Sequence, residues 1–246
     1  MKNKTPILSI ITICYNIKDE IEQTLKSVVN QTWKDFEWIV IDGGSTDGTL
    51  DILKKYKKHM TVLISEPDKG IYNAMNKGIK IAKGKYLNFM NGGDSFYADD
   101  VLEKVFAGKN YDADVLYGDY NIICPSGKSQ IRIFPETVDS NFFIDDCISH
   151  QGAFIKHQLF DKYGLYNEDF RIVSDWEKWV IYSINNCDFQ HLNLVVANFM
   201  RNGISSTQTE LSMRERYLIH KKYCKTQKIY YLFNIIPLLK IETSYY

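Results

Sequence analysis

Apolar residues in the first hundred positions recur with two alternating periods. ILSIITI (residues 7–13), FEWIVID (36–42), TVLIS (61–65) and KYLNFM (85–90) are short apolar runs of strand length. Between them the spacing changes to that of a helix. Ile21, Leu25, Val28 and Val29 fall on one face, then Leu50, Leu53 and Tyr56, then Met75, Ile79 and Ala82. Strand and helix alternating at this interval predict right-handed βαβ units and an α/β fold built on a mainly parallel, doubly wound sheet. Ligands of such sheets bind beyond the carboxyl ends of the strands. After residue 110 the pattern loosens into short strands, ADVLYGDYNII (113–123), KSQIRIF (128–134) and HLNLVVANFM (191–200), mixed with helical pieces. From Glu210 onward the chain reads as a partly basic helix followed by an apolar, aromatic end.

Composition narrows the function classes. With 246 residues, 45% of them hydrophobic, the chain supports a sizeable core. Its 30 basic and 30 acidic residues cancel without a basic stripe, so a nucleic-acid partner is not expected. Five cysteines (Cys14, Cys124, Cys147, Cys187, Cys224) lack CxxC spacing and read as reduced thiols of a cytoplasmic protein rather than as a disulfide framework or a zinc site. The N-terminal MKNK followed by PILSIITICY imitates a secretory signal. It is read as a first strand, because Ser9 and Thr12 interrupt the run and an amphipathic helix follows. No segment reaches the roughly 18 apolar residues of a membrane span.

Two strand ends are alike. IVIDGGSTDGT and LNFMNGGDS both pass from apolar residues into Asp or Asn, then Gly-Gly, then a polar residue. Either alone reads as turn punctuation. Together on one sheet they place backbone freedom and carboxylates at one crevice. No GxGxxG follows the first strand and no GxxxxGK[ST] occurs, which excludes the dinucleotide and P-loop cradles. Acidic tips suit instead a diphosphate held through a divalent metal.

Four motifs in order, SIITICYN, QTWKDFEWIVIDGGSTDGT, SEPDKGIYNAMNKGIKIAKGKYLNFMNGGD and SHQGAFIKHQLF with YGLYNEDFRIVSDWEKW, resemble the family 2 glycosyltransferases over roughly residues 5–205. The resemblance implies the GT-A (Rossmann-like) fold and an inverting enzyme, using Mn²⁺ or Mg²⁺, that moves a sugar from a nucleotide diphosphate to an acceptor hydroxyl. It implies a domain over 1–209, with a nucleotide-sugar half (1–110) and an acceptor half (111–209), followed by a helical tail (210–246). On the donor side the matching positions are Thr12, Tyr15 and Asn16 at the first strand end, then Asp42, and then Asp68 and Lys69 in EPDKG. Gly43 stands where the family carries a second acid. NGGD replaces an acidic Asp-x-Asp-Asp tip: Asn91 and Gly93 take the place of two acids on the donor side, and Asp94 is the expected metal ligand. A single carboxylate suffices when substrate phosphates and waters complete the shell.

In IVSDWEKW, Asp175 matches the family's general base, with Ser174 in place of a preceding glutamate and Glu177 in reserve. Trp176 and Trp179 are expected to desolvate Asp175 and raise its proton affinity. His150, Trp176 and Glu177 are expected to border the acceptor or the sugar, and RNGISS (201–206) resembles a loop that closes over the donor. The resulting expectation is transfer from a UDP-sugar to a saccharide or lipid-linked saccharide in cell-surface polysaccharide synthesis. KIYYLFNIIPLLK is a candidate for peripheral contact with the inner face of the plasma membrane. The alternative is a non-catalytic nucleotide-sugar-binding subunit, since two metal-tip acids are missing. A nucleotidyltransferase fits less well, because a glycine-rich basic loop after the first strand is absent.

Overall fold

Leu8–Cys14 is buried along its whole length, as befits a strand covered on both faces, and it forms the first strand, β1. The computed structural model describes residues 5–201 and 208–223. After β1 come α1 (Ile21–Val29), β2 (Phe36–Asp42), α2 (Thr49–Tyr56), β3 (Val62–Ser65), α3 (Ile71–Ile81) and β4 (Tyr86–Phe89), the alternation that the periodicity predicts. The less regular half adds β5 (Ser95–Phe96), α4 (Val101–Phe106), β6 (Val115–Ile123), β7 (Ser129–Arg132), α5 (Phe142–Asp145) and β8 (Ala153–Lys156). It ends with α6 (Gln158–Tyr163), α7 (Ser174–Ile184), β9 (Phe189–Met200) and α8 (Thr209–Tyr223).

The strands form one sheet in the order β3-β2-β1-β4-β8-β6-β9-β5, with β7 paired to β6. β3, β2, β1 and β4 are parallel neighbours. Beyond β4 the sheet becomes mixed: β8 runs antiparallel to β4 and β6, and β9 runs parallel to β6. The mainly parallel character therefore belongs to the first four strands, and the irregular half owes its irregularity to these antiparallel pairings. The β6–β9 register shifts around Gly118, where a β-carbon would lie 2.5 Å from the Leu194 carbonyl oxygen.

Alternation along the strands builds two cores, one on each face. Leu8, Ile10, Trp38 and Val40 pack with Ile21, Leu25 and Val28 of α1 and Leu53 of α2. Ile11, Ile13, Ile39 and Ile41 point the other way, to Met75 and Ile79 of α3 and onward to Trp176 and Trp179 of α7. Among the described residues no helix is long and apolar enough to cross a membrane. The tail segment 228–240 and RNGISS, apart from Arg201, lie outside the described residues. The four described cysteines are free thiols.

Where α3 hands over to β4 the backbone passes very close to β1. The Gly84 N–H donates to Ser9 Oγ at 2.8 Å, and Ser9 donates in turn to Glu37 Oε1 at 2.6 Å. A β-carbon at position 84 would stand 2.4 Å from the Ser9 backbone nitrogen. Backbone cannot yield as a side-chain tip can, so Gly84→Ala is expected to destabilise the fold by about 1–3 kcal/mol. Urea unfolding checks this, and a midpoint unchanged from the parent would contradict the packing described.

Candidate active site

The carboxyl ends of β1 and β2 are tied together through Asp42. Its buried carboxylate accepts from Ser45 Oγ at 2.5 Å, from Ser65 Oγ at 2.6 Å and from the Ser45 N–H at 3.1 Å. Asn16, held in the left-handed region at φ 49°, donates its N–H to Ser45 Oγ at 2.8 Å and accepts from the Thr46 N–H at 2.9 Å. Both loops are thus fixed before any ligand arrives. Tyr15 stands out from them, 62% exposed, as an aromatic platform beside Gly43. A β-carbon on Gly43 would lie 2.7 Å from Asp68 Oδ2. The Asp68 carboxylate therefore occupies the space a side chain at 43 would enter. Lys77 holds it in an ion pair at 3.2 Å while burial pushes its pKa upward.

The β4 tip has a separate reason for each glycine. A β-carbon on Gly92 would sit 2.1 Å from Ile17 Cδ1, whereas Gly93 adopts φ +97° and faces open space. Only Gly93 leaves room for a ligand. Asp94 is buried; its Oδ2 accepts from Gln151 Nε2 at 2.6 Å and its Oδ1 from the Met200 N–H at 3.1 Å. Burial outweighs these two donors and the nearby His150, and the carboxyl is pushed up to about 6. No lysine or arginine pairs with it among the described residues, and no cluster of three or more His, Cys, Asp or Glu there can hold a metal alone. One carboxylate, satisfied only by neutral donors and with lone pairs to spare, fits a divalent ion that arrives bound to a diphosphate.

A half-buried chain of hydrogen bonds runs from this tip to α7. Asn91 Nδ2 lies 2.9 Å from His150 Nε2, and His150 Nδ1 lies 3.0 Å from Asp175 Oδ2. The opposite oxygen, Asp175 Oδ1, lies 2.9 Å from the Tyr72 hydroxyl, whose single hydrogen is shared with the Ile172 carbonyl at 2.7 Å. With Asp175 ionised, His150 donates through Nδ1 and accepts from Asn91 through Nε2. Burial pushes the Asp175 carboxyl up, but His150 and Tyr72 outweigh it and hold the pKa below the ordinary value. The expectation that flanking tryptophans raise its proton affinity is thereby corrected: donors that favour the charged form win over desolvation.

The geometry brings together Tyr15, Asn16, Asp42, Asp68, Asn91, Gly93, Asp94, His150 and Asp175. Lys69, exposed on the loop before α3, uses its N–H to bond Asn73 Oδ1. Thr12 does not reach the crevice: strand alternation turns it into the α1 face, where it accepts from Trp38 Nε1 at 3.0 Å. Trp176 is likewise drawn inward, with Nε1 on the Asp146 carbonyl, and Glu177 is buried and accepts from Tyr223 and Lys222. Neither is placed to touch an acceptor. Sequence reading missed Tyr72 and Gln151. Both lie in the resembling motifs, as the Tyr of GIYNAM and the Gln of SHQG, but no local pattern announces whom they bond.

Comparison with known proteins gives the family and the fold. The family model described as "Glycosyl transferase family 2" matches residues 9–160. A "PGL/p-HBAD biosynthesis glycosyltransferase" of Mycobacterium bovis is 31% identical over 218 residues, covering 86% of this chain and 84% of the relative. The "Putative teichuronic acid biosynthesis glycosyltransferase TuaG" of Bacillus subtilis is 40% identical over 107 residues, 42% of each chain. Among solved structures, S. aureus TarS 1-349 in complex with UDP-GlcNAc superposes with a TM-score of 0.69 at 18% identity. That match covers 86% of this chain and 64% of TarS 1-349, so the chain spans less than two thirds of that structure's length. "Mannosyltransferase PcManGT from Pyrobaculum calidifontis in complex with GDP-Man and Mn2+" gives a TM-score of 0.65 at 16% identity, covering 92% of this chain and 66% of that one.

The hydrogen bonds to Asp175 carry a prediction. With its folded pKa below the ordinary 3.8, the ionised group contributes stability above about pH 3.8 that is lost as pH falls through the folded value. Carboxyl-carbon NMR should show the resonance titrating below pH 3.8, and His150→Ala or Tyr72→Phe should move it upward. A midpoint above the ordinary value in the parent protein would overturn the assignment.

Proposed function

The chain belongs to glycosyl transferase family 2 and is a nucleotide-sugar glycosyltransferase, and from that premise we propose that Asp175 is the general base of an inverting transfer from a UDP-sugar. The observation carrying this is Asp175 itself. It is a carboxylate 18% exposed, gripped by His150 on one oxygen and Tyr72 on the other, held below its ordinary pKa by these donors against burial, and joined through His150 to the tip that bears Asp94. Each oxygen keeps a lone pair for an incoming proton. As the acceptor hydroxyl loses its proton to Asp175, its oxygen bonds the anomeric carbon and the bond to the diphosphate breaks, with the electron pair leaving on phosphate. Asp94 would hold the divalent cofactor, Mn²⁺ or Mg²⁺, which when bound supplies positive charge at the leaving diphosphate.

The donor base is read from Asp68. Its carboxylate stands where a second acid after Asp42 would reach, beside the ring of Tyr15. A carboxylate accepts an imide N–H, which uracil presents and cytosine does not. UDP-sugars are therefore favoured over CDP-sugars, with Tyr15 stacking on the base. UDP-GlcNAc bound to TarS and the names of the teichuronic acid and PGL/p-HBAD relatives support a UDP donor and a saccharide or lipid-linked acceptor of cell-surface synthesis.

Asp175→Asn keeps the shape and one acceptor oxygen but cannot take the proton, so transfer should fall by about 10²- to 10⁴-fold with donor affinity little changed. Steady-state transfer measured beside calorimetric donor binding checks this, and undiminished transfer would remove Asp175 from the role.

For the metal, Asp94→Ala should abolish the Mn²⁺-dependent part of UDP-sugar affinity, while Mn²⁺ alone should bind the parent protein only weakly. Tight metal binding to the free protein, unchanged in the variant, would refute the arrangement.

Asp68→Asn should narrow the preference for UDP over CDP in thermal-shift titrations. Equal preference in parent and variant would place base reading elsewhere.

A further inference from the structure

The helix that carries the base has no side-chain cap of its own: its N-cap residue is Val173. The backbone just before it is nevertheless fully engaged. Glu215, buried in the middle of α8, accepts from the N–H groups of Arg171 at 2.7 Å, Ile172 at 3.0 Å and Val173 at 3.2 Å. Three consecutive N–H groups converging on one carboxylate form an anion nest, and the charge lies at the positive end of the α7 dipole. Ile172 is held at both of its backbone polar groups, its N–H by Glu215 and its carbonyl by the Tyr72 hydroxyl that also reaches Asp175. The contact continues along α7. Arg216 lies over Trp176 at 4.9 Å, the His220 ring meets Trp176 at 4.9 Å, and Tyr223 donates to Glu177 at 3.0 Å.

We propose that Glu215 is a positioning residue for catalysis: by clamping residues 171–173 it sets the entry of α7 and hence where the Asp175 carboxylate meets the acceptor hydroxyl. This inference rests on Asp175 as the base. Reactivity is steep in that placement, since a displacement near 1 Å costs up to about 100-fold in rate. Glutamine at 215 retains one acceptor oxygen but turns an NH₂ toward a backbone N–H, so the nest loses a partner and gains a repulsion. Aspartate keeps the charge but retracts it.

The test is a double-mutant cycle on the full chain, read as nucleotide release from UDP-glucose, UDP-GlcNAc or GDP-mannose with Mn²⁺ and water as acceptor. Glu215→Gln should lower kcat by about 10- to 100-fold, leave donor KM within about twofold, and add nothing further in the Asp175→Asn background. Amide exchange at residues 171–173 should accelerate. An equal loss in both backgrounds would show a general stability effect and overturn the proposal, as would unchanged release or unchanged exchange protection. If Glu215→Gln does not fold, Glu215→Asp enters the same cycle with the same criteria. Failure of the base assignment looks different, because Asp175→Asn alone would then leave release intact, and this inference would fall with it.

Discussion

The parallel pairing of β1 with β2 on one side and β4 on the other is the constraint from which the site follows. Leu8 pairs with both Phe36 and Tyr86, so the three strands start level and their carboxyl ends open at one edge. Chain order reverses across β1, with β2 and β3 to one side and β4 to the other, and this makes a crevice between the two loop tips. The Asp42 tip and the Asn91–Asp94 tip, nearly fifty residues apart in sequence, become its two walls. Burial of β1 on both faces holds the edge rigid, because any slip would expose Ile10 or Ile11 together with a row of ladder hydrogen bonds.

Within that crevice the acids are held mainly by neutral donors. Asp42 is satisfied by serines, Asp94 by an amide and a backbone N–H, and Asp175 by a tyrosine and a histidine. A lysine or arginine against Asp94 or Asp175 would neutralise its charge, while no partner at all would cost several kcal/mol of desolvation. Hydrogen bonding without a fixed cation lies between these extremes. It also separates the two acids in behaviour. Desolvation dominates at Asp94, which leaves it deficient in positive charge and suited to a cation. Donors dominate at Asp175, which stays ionised.

The irregular half contributes less to the walls than to their alignment. β8 enters antiparallel beside β4 and brings the turn of His150 and Gln151 under the Asn91–Asp94 tip, where one residue faces Asp175 and the next faces Asp94. α3 extends Tyr72 across to Ile172 and Asp175, so Asp175 is tied directly to the helix that follows β3. The two sides of the crevice are therefore joined by direct hydrogen bonds.

Strand and helix periodicity by itself determined the first four strands, the three helices between them and hence the edge at which the strands' carboxyl ends open, because alternation of apolar residues is a local record of burial. The family motifs marked Asp42, Asp94, His150 and Asp175 for the same reason: each is a short stretch in fixed order. Side-chain direction and partnership were decided only in three dimensions. Thr12 belongs to the same strand end as Tyr15, yet strand alternation across a sheet covered on both faces sends its hydroxyl to Trp38. Trp176 follows Asp175 by one residue and still turns to the core, because α7 buries that stripe. Tyr72 meets Asp175 across 103 residues, Gln151 meets Asp94 across 57, and Glu215 meets Ile172 across 43. A hydrogen bond depends on which groups are brought within 3 Å and shielded from water together, and no local pattern encodes that approach. The direction of the Asp175 shift depended on the same approach, since burial alone pushes it upward and the arrival of His150 and Tyr72, with the Trp176 N–H, reverses it.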